Sequence, residues 1–79
     1  MNPKQRAIQL NNKEEIIDAY LHTSKMNPDK NKVMFLINTF NEVNKAELLT
    51  WSSYACCGDC QRALKNFFKY VIEIWQKTS

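Results

Sequence analysis

The fold is decided by residues 61–77, which read QRALKNFFKYVIEIWQK. Apolar residues recur in this stretch at spacings of three and four, which is the period of one face of an α-helix. Polar side chains fall on the opposite face, where Glu73 precedes Lys77 by four residues, the favourable order for a helical ion pair. The segment therefore predicts a long amphipathic helix with a buried stripe of Leu64, Phe67, Phe68, Val71, Ile72 and Trp75.

The same helical period extends through the rest of the chain, and signals for helix starts recur along it. These signals are Asn12 with Glu15, Asn27 with Pro28, and Asn44 with Glu47. Their spacing predicts an all-α fold, a compact antiparallel bundle of four main helices at 12–24, 28–43, 45–57 and 59–77. Residues 1–11 are predicted to be an arm or a short helix, and residues 1–79 a single domain.

Three further apolar faces are expected to complete the core of this bundle. They consist of Ile16, Ile17, Tyr20 and Leu21 in the first helix, Val33, Leu36, Ile37, Phe40 and Val43 in the second, and Leu48, Trp51 and Ala55 in the third. Gly58 is expected to end the third helix in the left-handed conformation, and Asp59 to cap the fourth.

Composition limits the class of protein. Hydrophobic residues make up 44% of the chain and charged residues 24%, which is typical of a globular rather than a disordered protein. No apolar run approaches the roughly 20 residues that span a bilayer. The polar start, MNPKQR, lacks the apolar core of a secretory signal. We therefore expect no membrane segment and a cytoplasmic location, or a virion if the source is a phage.

Lysine and asparagine are unusually frequent. The chain has nine of each, against two arginines and one glycine, a bias typical of AT-rich coding sequence in a phage, a mobile element or a low-GC bacterium. The net charge of +3 is compatible with an acidic partner. The shortage of arginine argues against base recognition in DNA, because arginine supplies the planar fork that such recognition uses.

All three cysteines lie in the run CCGDC at positions 56–60, together with the only glycine. Cys57 and Cys60 have the CxxC spacing at which two thiolates can bind one zinc ion. A structural zinc site needs four ligands, and the remaining candidates are Cys56 and His22. A zinc site is therefore one hypothesis for this cluster, and otherwise no cofactor is expected.

A redox role is a second hypothesis for the cysteine cluster. Cys60 would lie in the first turn of a helix, where free amides stabilise a thiolate, although Asp59 places a negative charge beside both thiols. Thioredoxin-type oxidoreductases carry their CxxC after a strand, and no strand is predicted here. A third interpretation, which we prefer, is that Cys56, Cys57 and Cys60 pack as small apolar side chains at a helix corner.

Aromatic and apolar residues outside the predicted stripes indicate a surface for a protein partner. Met34 and Phe35 widen the apolar face of the second helix, and Tyr70 and Ile74 that of the last. Together with Trp75 they are predicted to bind a partner protein or a second copy of the chain.

A weaker pattern of basic residues runs along the last helix. Arg62, Lys65 and Lys69 could contact phosphates, which would make the chain a weak nucleic-acid-binding protein. The apolar width of that helix argues against a recognition helix. The sequence thus favours a non-enzymatic interaction or structural subunit, with a zinc- or redox-responsive module and a nucleic-acid binder as alternatives.

Overall fold

The computed structural model describes residues 1–78 of the chain. These residues form five α-helices and no strand, so the predicted all-α class is confirmed. In chain order the helices are α1 (Pro3–Ile8), α2 (Lys13–His22), α3 (Lys30–Asn44), α4 (Trp51–Cys56) and α5 (Gly58–Thr78). The predicted four-helix bundle is not confirmed, because α1 and α4 are each shorter than two turns.

Helix α5 is the centre of the fold, since it packs against each of the other four helices. Its predicted stripe is confirmed, because all six apolar side chains, from Leu64 to Trp75, are buried. The Cα radius of gyration, 11.9 Å, is that of a compact domain of this length. No helix among residues 1–78 combines the length and the apolar content that a bilayer crossing requires.

The start of the chain forms the short helix that was one of two predictions for residues 1–11. Asn2 caps α1, because its side chain accepts a hydrogen bond of 2.8 Å from the Gln5 amide. The Gln5 side chain in turn accepts one of 3.3 Å from the Asn2 amide. Pro3 occupies the first helical position. A backbone N–H at this position has no acceptor within the helix, so proline loses no hydrogen bond there.

Helix α1 is attached to the rest of the molecule through its C-terminal half. Ala7 is completely buried, and Arg6 Nε donates a hydrogen bond of 2.6 Å to the carbonyl of Val43, near the end of α3. The indole Nε1 of Trp75 donates one of 2.8 Å to the carbonyl of Ile8. Residues 1–11 are therefore an integral part of the fold.

The second and third helices begin differently from the prediction. Asn12 precedes α2 with φ −96° and ψ 49°, outside the extended backbone of a capping residue, and its side chain makes no capping hydrogen bond. The predicted capping box of Asn12 and Glu15 is therefore wrong. Helix α3 is capped by Asp29 rather than Asn27, since the Asp29 carboxylate accepts a hydrogen bond of 2.8 Å from the Asn31 amide.

The predicted helix over 45–57 is wrong for residues 45–50. Asn44 is the last residue of α3 instead of a cap, and Lys45 adopts the left-handed conformation with φ 57° and ψ 34°. A left-handed residue ends a right-handed helix. Lys45 is the one non-glycine residue of the described chain with positive φ.

Residues 46–50 are held in an irregular conformation by the side chain of Asn41. Its Oδ1 accepts hydrogen bonds of 3.0 Å from the amides of both Leu48 and Leu49, and its Nδ2 donates one of 2.8 Å to the Leu49 carbonyl. Helix α4 then begins with a capping box, in which Thr50 Oγ1 accepts from the Ser53 amide at 3.1 Å and Ser53 Oγ from the Thr50 amide at 2.9 Å. These bonds satisfy backbone groups that the predicted helix would have paired internally.

Candidate functional site

Helices α4 and α5 meet at one extended residue, Cys57, with φ −124° and ψ 112°. Its N–H donates to the Ser53 carbonyl at 3.0 Å, and its own carbonyl accepts from the Gln61 N–H at 3.2 Å. Cys57 therefore ends α4 and caps α5. The predicted left-handed stop at Gly58 and the cap at Asp59 are wrong, because the extended residue makes the turn and both residues lie in the first turn of α5.

The position of Cys57 favours its thiolate. A capping side chain lies beside the free amides of the first helical turn. Hydrogen bonding from the Cys60 amide, from the Cys60 thiol and from the Asp59 amide lowers the pKa of Cys57. The Asp59 carboxylate acts in the opposite direction, and it forms an ion pair with Arg62. The combined effect of these groups is a lowered pKa of Cys57.

Cys60 is the hydrogen-bonding partner of Cys57. The pKa of Cys60 is raised, first by the hydrogen bond to the Cys57 thiol and then by burial and by the negative charge on Cys57. Its side chain is half-buried and packs against the hydrophobic core, as the packing interpretation predicts for this residue. The two thiols therefore ionise as an interacting pair, with the first negative charge favoured on Cys57.

Cys56 stands apart from this pair. It is exposed, and its Sγ donates a hydrogen bond of 3.0 Å to the Ser52 carbonyl one turn earlier in α4. The prediction that Cys56 fills a buried corner is wrong, because the last turn of α4 presents its side chain to solvent.

The four predicted zinc ligands are not brought together as one set. Across residues 1–78, no three His, Cys, Asp or Glu side chains form a group that could hold a metal ion. His22 lies between α2 and α3, where its Nε2 is 3.1 Å from Lys32 Nζ and 3.9 Å from an Asp18 carboxylate oxygen. Lys32 also forms an ion pair with Asp18, and this hydrogen bond lowers the pKa of the Asp18 carboxyl. His22 is thus engaged with α3.

The predicted partner-binding residues differ in their accessibility. Trp75 is only 5% exposed, so it belongs to the core rather than to a binding surface. Met34, Phe35 and Ile74 are half-buried. Tyr70 is exposed, and Lys4 Nζ lies 4.6 Å from the centre of its ring. Helix α1 contacts both rings, Trp75 through the Ile8 carbonyl and Tyr70 through the Lys4 side chain.

The predicted nucleic-acid residues lie on one side of α5, at spacings of three and four. Arg62 and Lys69 are exposed, whereas Lys65 is half-buried. Arg62 is engaged with Asp59. Lys69 lies at the rim of a groove between α2 and α5.

That groove is the feature that the sequence did not reveal. It encloses about 310 Å³ and is lined by Ile17, Tyr20, Leu21, Lys69, Ile72, Glu73 and Gln76. Leu21 was expected in the core, yet it is 59% exposed, because α2 turns Ile16 and Ala19 inward instead. The sequence contained one signal for the groove. The apolar face of α2 is wider than a single contact with the core can cover.

Comparison of the chain with protein-family models, with curated proteins and with solved structures gives no match. Two places in the structure have the features of a functional site. One is the α2–α5 groove, defined by Ile17, Tyr20, Leu21 and Ile72 with its rim at Lys69. The other is the thiol pair of Cys57 and Cys60 at the α4–α5 corner.

Proposed function

We propose that this protein is a non-enzymatic interaction module that binds an amphipathic helix with an acidic flank in the α2–α5 groove. The observation that carries the proposal is the 59% exposure of Leu21 beside half-buried Ile17 and Tyr20. A single exposed leucine is ordinary on a protein surface. Here the leucine continues an apolar groove, and a contiguous apolar surface is what a partner covers.

The shape of the groove suits a helix. Ile17, Tyr20 and Leu21 follow one another at spacings of three and one along α2, and Ile72 forms the opposite wall on α5. Two helices side by side leave a groove into which a third helix can place residues at spacings of three and four.

Charge around the groove supports an acidic flank for the partner. Lys13 Nζ lies 5.6 Å from the centre of the Trp75 ring, so the start of α2 lies near the end of α5. Lys69 and Glu73 line the groove on α5, opposite Leu21 on α2. A ligand carboxylate beside Lys69 would be attracted by its ammonium group, which raises the association rate, whereas one beside Glu73 would be repelled.

The test is selection from a displayed library of amphipathic helical peptides that carry randomised charges beside a fixed apolar stripe. We expect the selected peptides to be enriched in Glu and Asp on one flank. Their binding should be lost in Leu21→Glu and weakened at low salt in Lys69→Glu. Isothermal titration with the selected peptides measures both effects.

Two variants serve as matched controls. Leu48→Glu changes a leucine of similar exposure, 56%, that lies outside the groove. Lys77→Glu reverses a charge on α5 that is also outside it. Both should bind the selected peptides like the original protein. Binding that survives Leu21→Glu, or that is lost in Leu48→Glu, would place the interaction surface elsewhere.

The same variants distinguish two other possible ligands of the protein. A second copy of the chain would appear in sedimentation equilibrium as a dimer that Leu21→Glu dissociates. Binding to an oligonucleotide that falls steeply with salt and is lost in Lys69→Glu, but not in Leu21→Glu, would favour the nucleic-acid alternative instead. The composition adds the further proposal that the module is an accessory subunit of a phage or its assembly.

A further inference from the structure

We propose that Cys57 and Cys60 form a site of reversible thiol–disulfide exchange, with Cys57 as the attacking thiol and Cys60 as the resolving thiol. The substrate class is a small-molecule disulfide. The site stands independently of the α2–α5 groove, because none of its residues lines that groove.

The position of the two residues on α5 brings their side chains together. Cys57 caps the helix through its carbonyl, which accepts from Gln61 at 3.2 Å, and Cys60 is the third residue of the first turn. A capping side chain reaches the backbone amide of this third residue. Cys57 and Cys60 therefore occupy the cap and the third position of α5, which place their side chains at the same turn of the helix. Hydrogen bonding from Cys60 is accordingly the first cause of the lowered pKa of Cys57.

Packing and ionisation distinguish the two thiols, which are both half-buried. Cys57 lies beside exposed Gly58 and Asp59, where a small disulfide can approach it. The same amides that lower its pKa favour the thiolate, which is the nucleophile in exchange. Cys60 packs against the core and remains protonated longer, so it is suited to the second step.

The exchange conserves atoms and electrons. After its proton has passed to solvent, the Cys57 thiolate attacks one sulfur of the disulfide R–S–S–R and forms a mixed disulfide, releasing one thiolate R–S⁻ that takes up a proton. Cys60 then loses its proton to solvent and attacks the Cys57 sulfur. This step forms the Cys57–Cys60 bond and releases the second R–S⁻, which is also protonated. The two cysteines are oxidised by two electrons, and the small disulfide is reduced to two thiols.

The first step prepares the second. The hydrogen bond to Cys57 and the negative charge on Cys57 are both causes of the raised pKa of Cys60. Neither persists once the Cys57 sulfur is in a mixed disulfide, so Cys60 ionises more readily at that stage. The resolving thiol thus becomes reactive after its partner has been modified.

Cys56 provides an internal comparison for this proposal. Cys56 is exposed to solvent, but its sulfur donates a hydrogen bond to the Ser52 carbonyl in α4. The capping amides of α5 lie beside Cys57 rather than Cys56. Accessibility alone would favour Cys56, whereas the proposed site favours Cys57.

The test uses the full chain, reduced and folded, with oxidised glutathione as the probe and intact mass spectrometry as the readout. Cys56→Ser should lose two hydrogens and carry no glutathione, and excess reduced glutathione should reverse the change. Cys60→Ser, in the same background, should stop at one glutathione on Cys57. Cys57→Ser should fail to form any internal disulfide.

Circular dichroism before the reaction confirms that each variant is folded. The proposal is overturned if folded Cys56→Ser forms no internal disulfide with oxidised glutathione. It is overturned equally if Cys56 takes up glutathione faster than Cys57 in the unsubstituted chain, as peptide fragmentation would show.

Discussion

The indole Nε1 of Trp75 donates a hydrogen bond of 2.8 Å to the carbonyl of Ile8, 67 residues earlier in the chain. This bond joins the end of α1 to the end of α5 and places the first and last helices in contact. A buried indole N–H needs an acceptor, and the last carbonyls of a helix need a donor. One contact supplies both, which explains why Trp75 lies in the core rather than at a partner surface.

Trp75→Phe should lower the free energy of unfolding by about 1–3 kcal/mol. The ring still fills most of the space, but the partly buried Ile8 carbonyl loses its donor. Urea denaturation followed by circular dichroism measures the change as a lower midpoint at constant slope. The control is Tyr70→Phe, which removes a polar atom from an exposed ring on the same helix and should change stability by less than about 0.5 kcal/mol. Equal effects of the two variants would contradict the role of the bond.

Asn41→Ala should destabilise the protein by about 1–3 kcal/mol, because the amides of Leu48 and Leu49 and the carbonyl of Leu49 lose their partner. Asn38→Ala is the matched control on the exposed side of α3. It should be neutral or stabilising by at most about 0.7 kcal/mol, since alanine favours the helix more than asparagine. Thermal unfolding compares them, and a neutral Asn41→Ala would mean that residues 46–50 do not need its bonds.

Gly58→Ala should stabilise the protein by about 0.4–1 kcal/mol. Gly58 has no positive φ, and an added Cβ would meet only the Arg62 guanidinium, at 3.8 Å. Alanine therefore fits the first turn of α5 and restricts the unfolded chain. Urea titration gives the change in free energy.

Lys45 is the comparison for Gly58, since Lys45 occupies the left-handed position. Lys45→Gly should stabilise the protein by about 0.5–1 kcal/mol. Glycine relieves the strain of the left-handed backbone, and this gain exceeds the entropic cost of ordering a more flexible residue. Loss of stability in both variants would mean that the left-handed turn lies at Gly58.

The alkylation rate of Cys57 should remain high at a lower pH than that of Cys60, whose pKa is raised. Iodoacetamide reacts with the thiolate, and the lowered pKa of Cys57 keeps a larger ionised fraction as the pH falls. The groups that act on this pKa are Cys60, which lowers it, and the Asp59 carboxylate, which raises it and is paired with Arg62. Peptide mass spectrometry across a pH series gives the midpoints for Cys57 and Cys60.

Asp59→Asn tests the direction in which the Asp59 charge shifts the pKa of Cys57. It removes the opposing charge and leaves the backbone amide in place, so the midpoint of Cys57 should move to still lower pH. Cys60→Ala removes the side-chain donor that hydrogen-bonds Cys57, so the midpoint of Cys57 should move upward. Shifts in the reverse directions would contradict the assignment of causes.

The candidate sites were only partly predictable from the sequence. The CxxC spacing indicated a redox hypothesis, but Gly58 and Asp59 suggested a turn and a cap that Cys57 in fact provides. Leu21 was expected in the core with Ile16, although the contact of α2 with α5 leaves it exposed. In both cases several residues are suited to the same position in the fold. Contacts with residues distant in the sequence decide which of them occupies it.

The sequence by itself determined the all-α class and the buried face of α5, because a helical period is a local property that each segment carries alone. Tertiary structure alone decided that residues 45–50 are irregular, that Trp75 bonds Ile8, and that a groove opens beside Leu21. Each of these depends on contacts between segments, such as the side chain of Asn41 satisfying the backbone of Leu49. Such contacts replace local hydrogen bonds of similar strength, so they can override a local preference worth less than about 1 kcal/mol per residue.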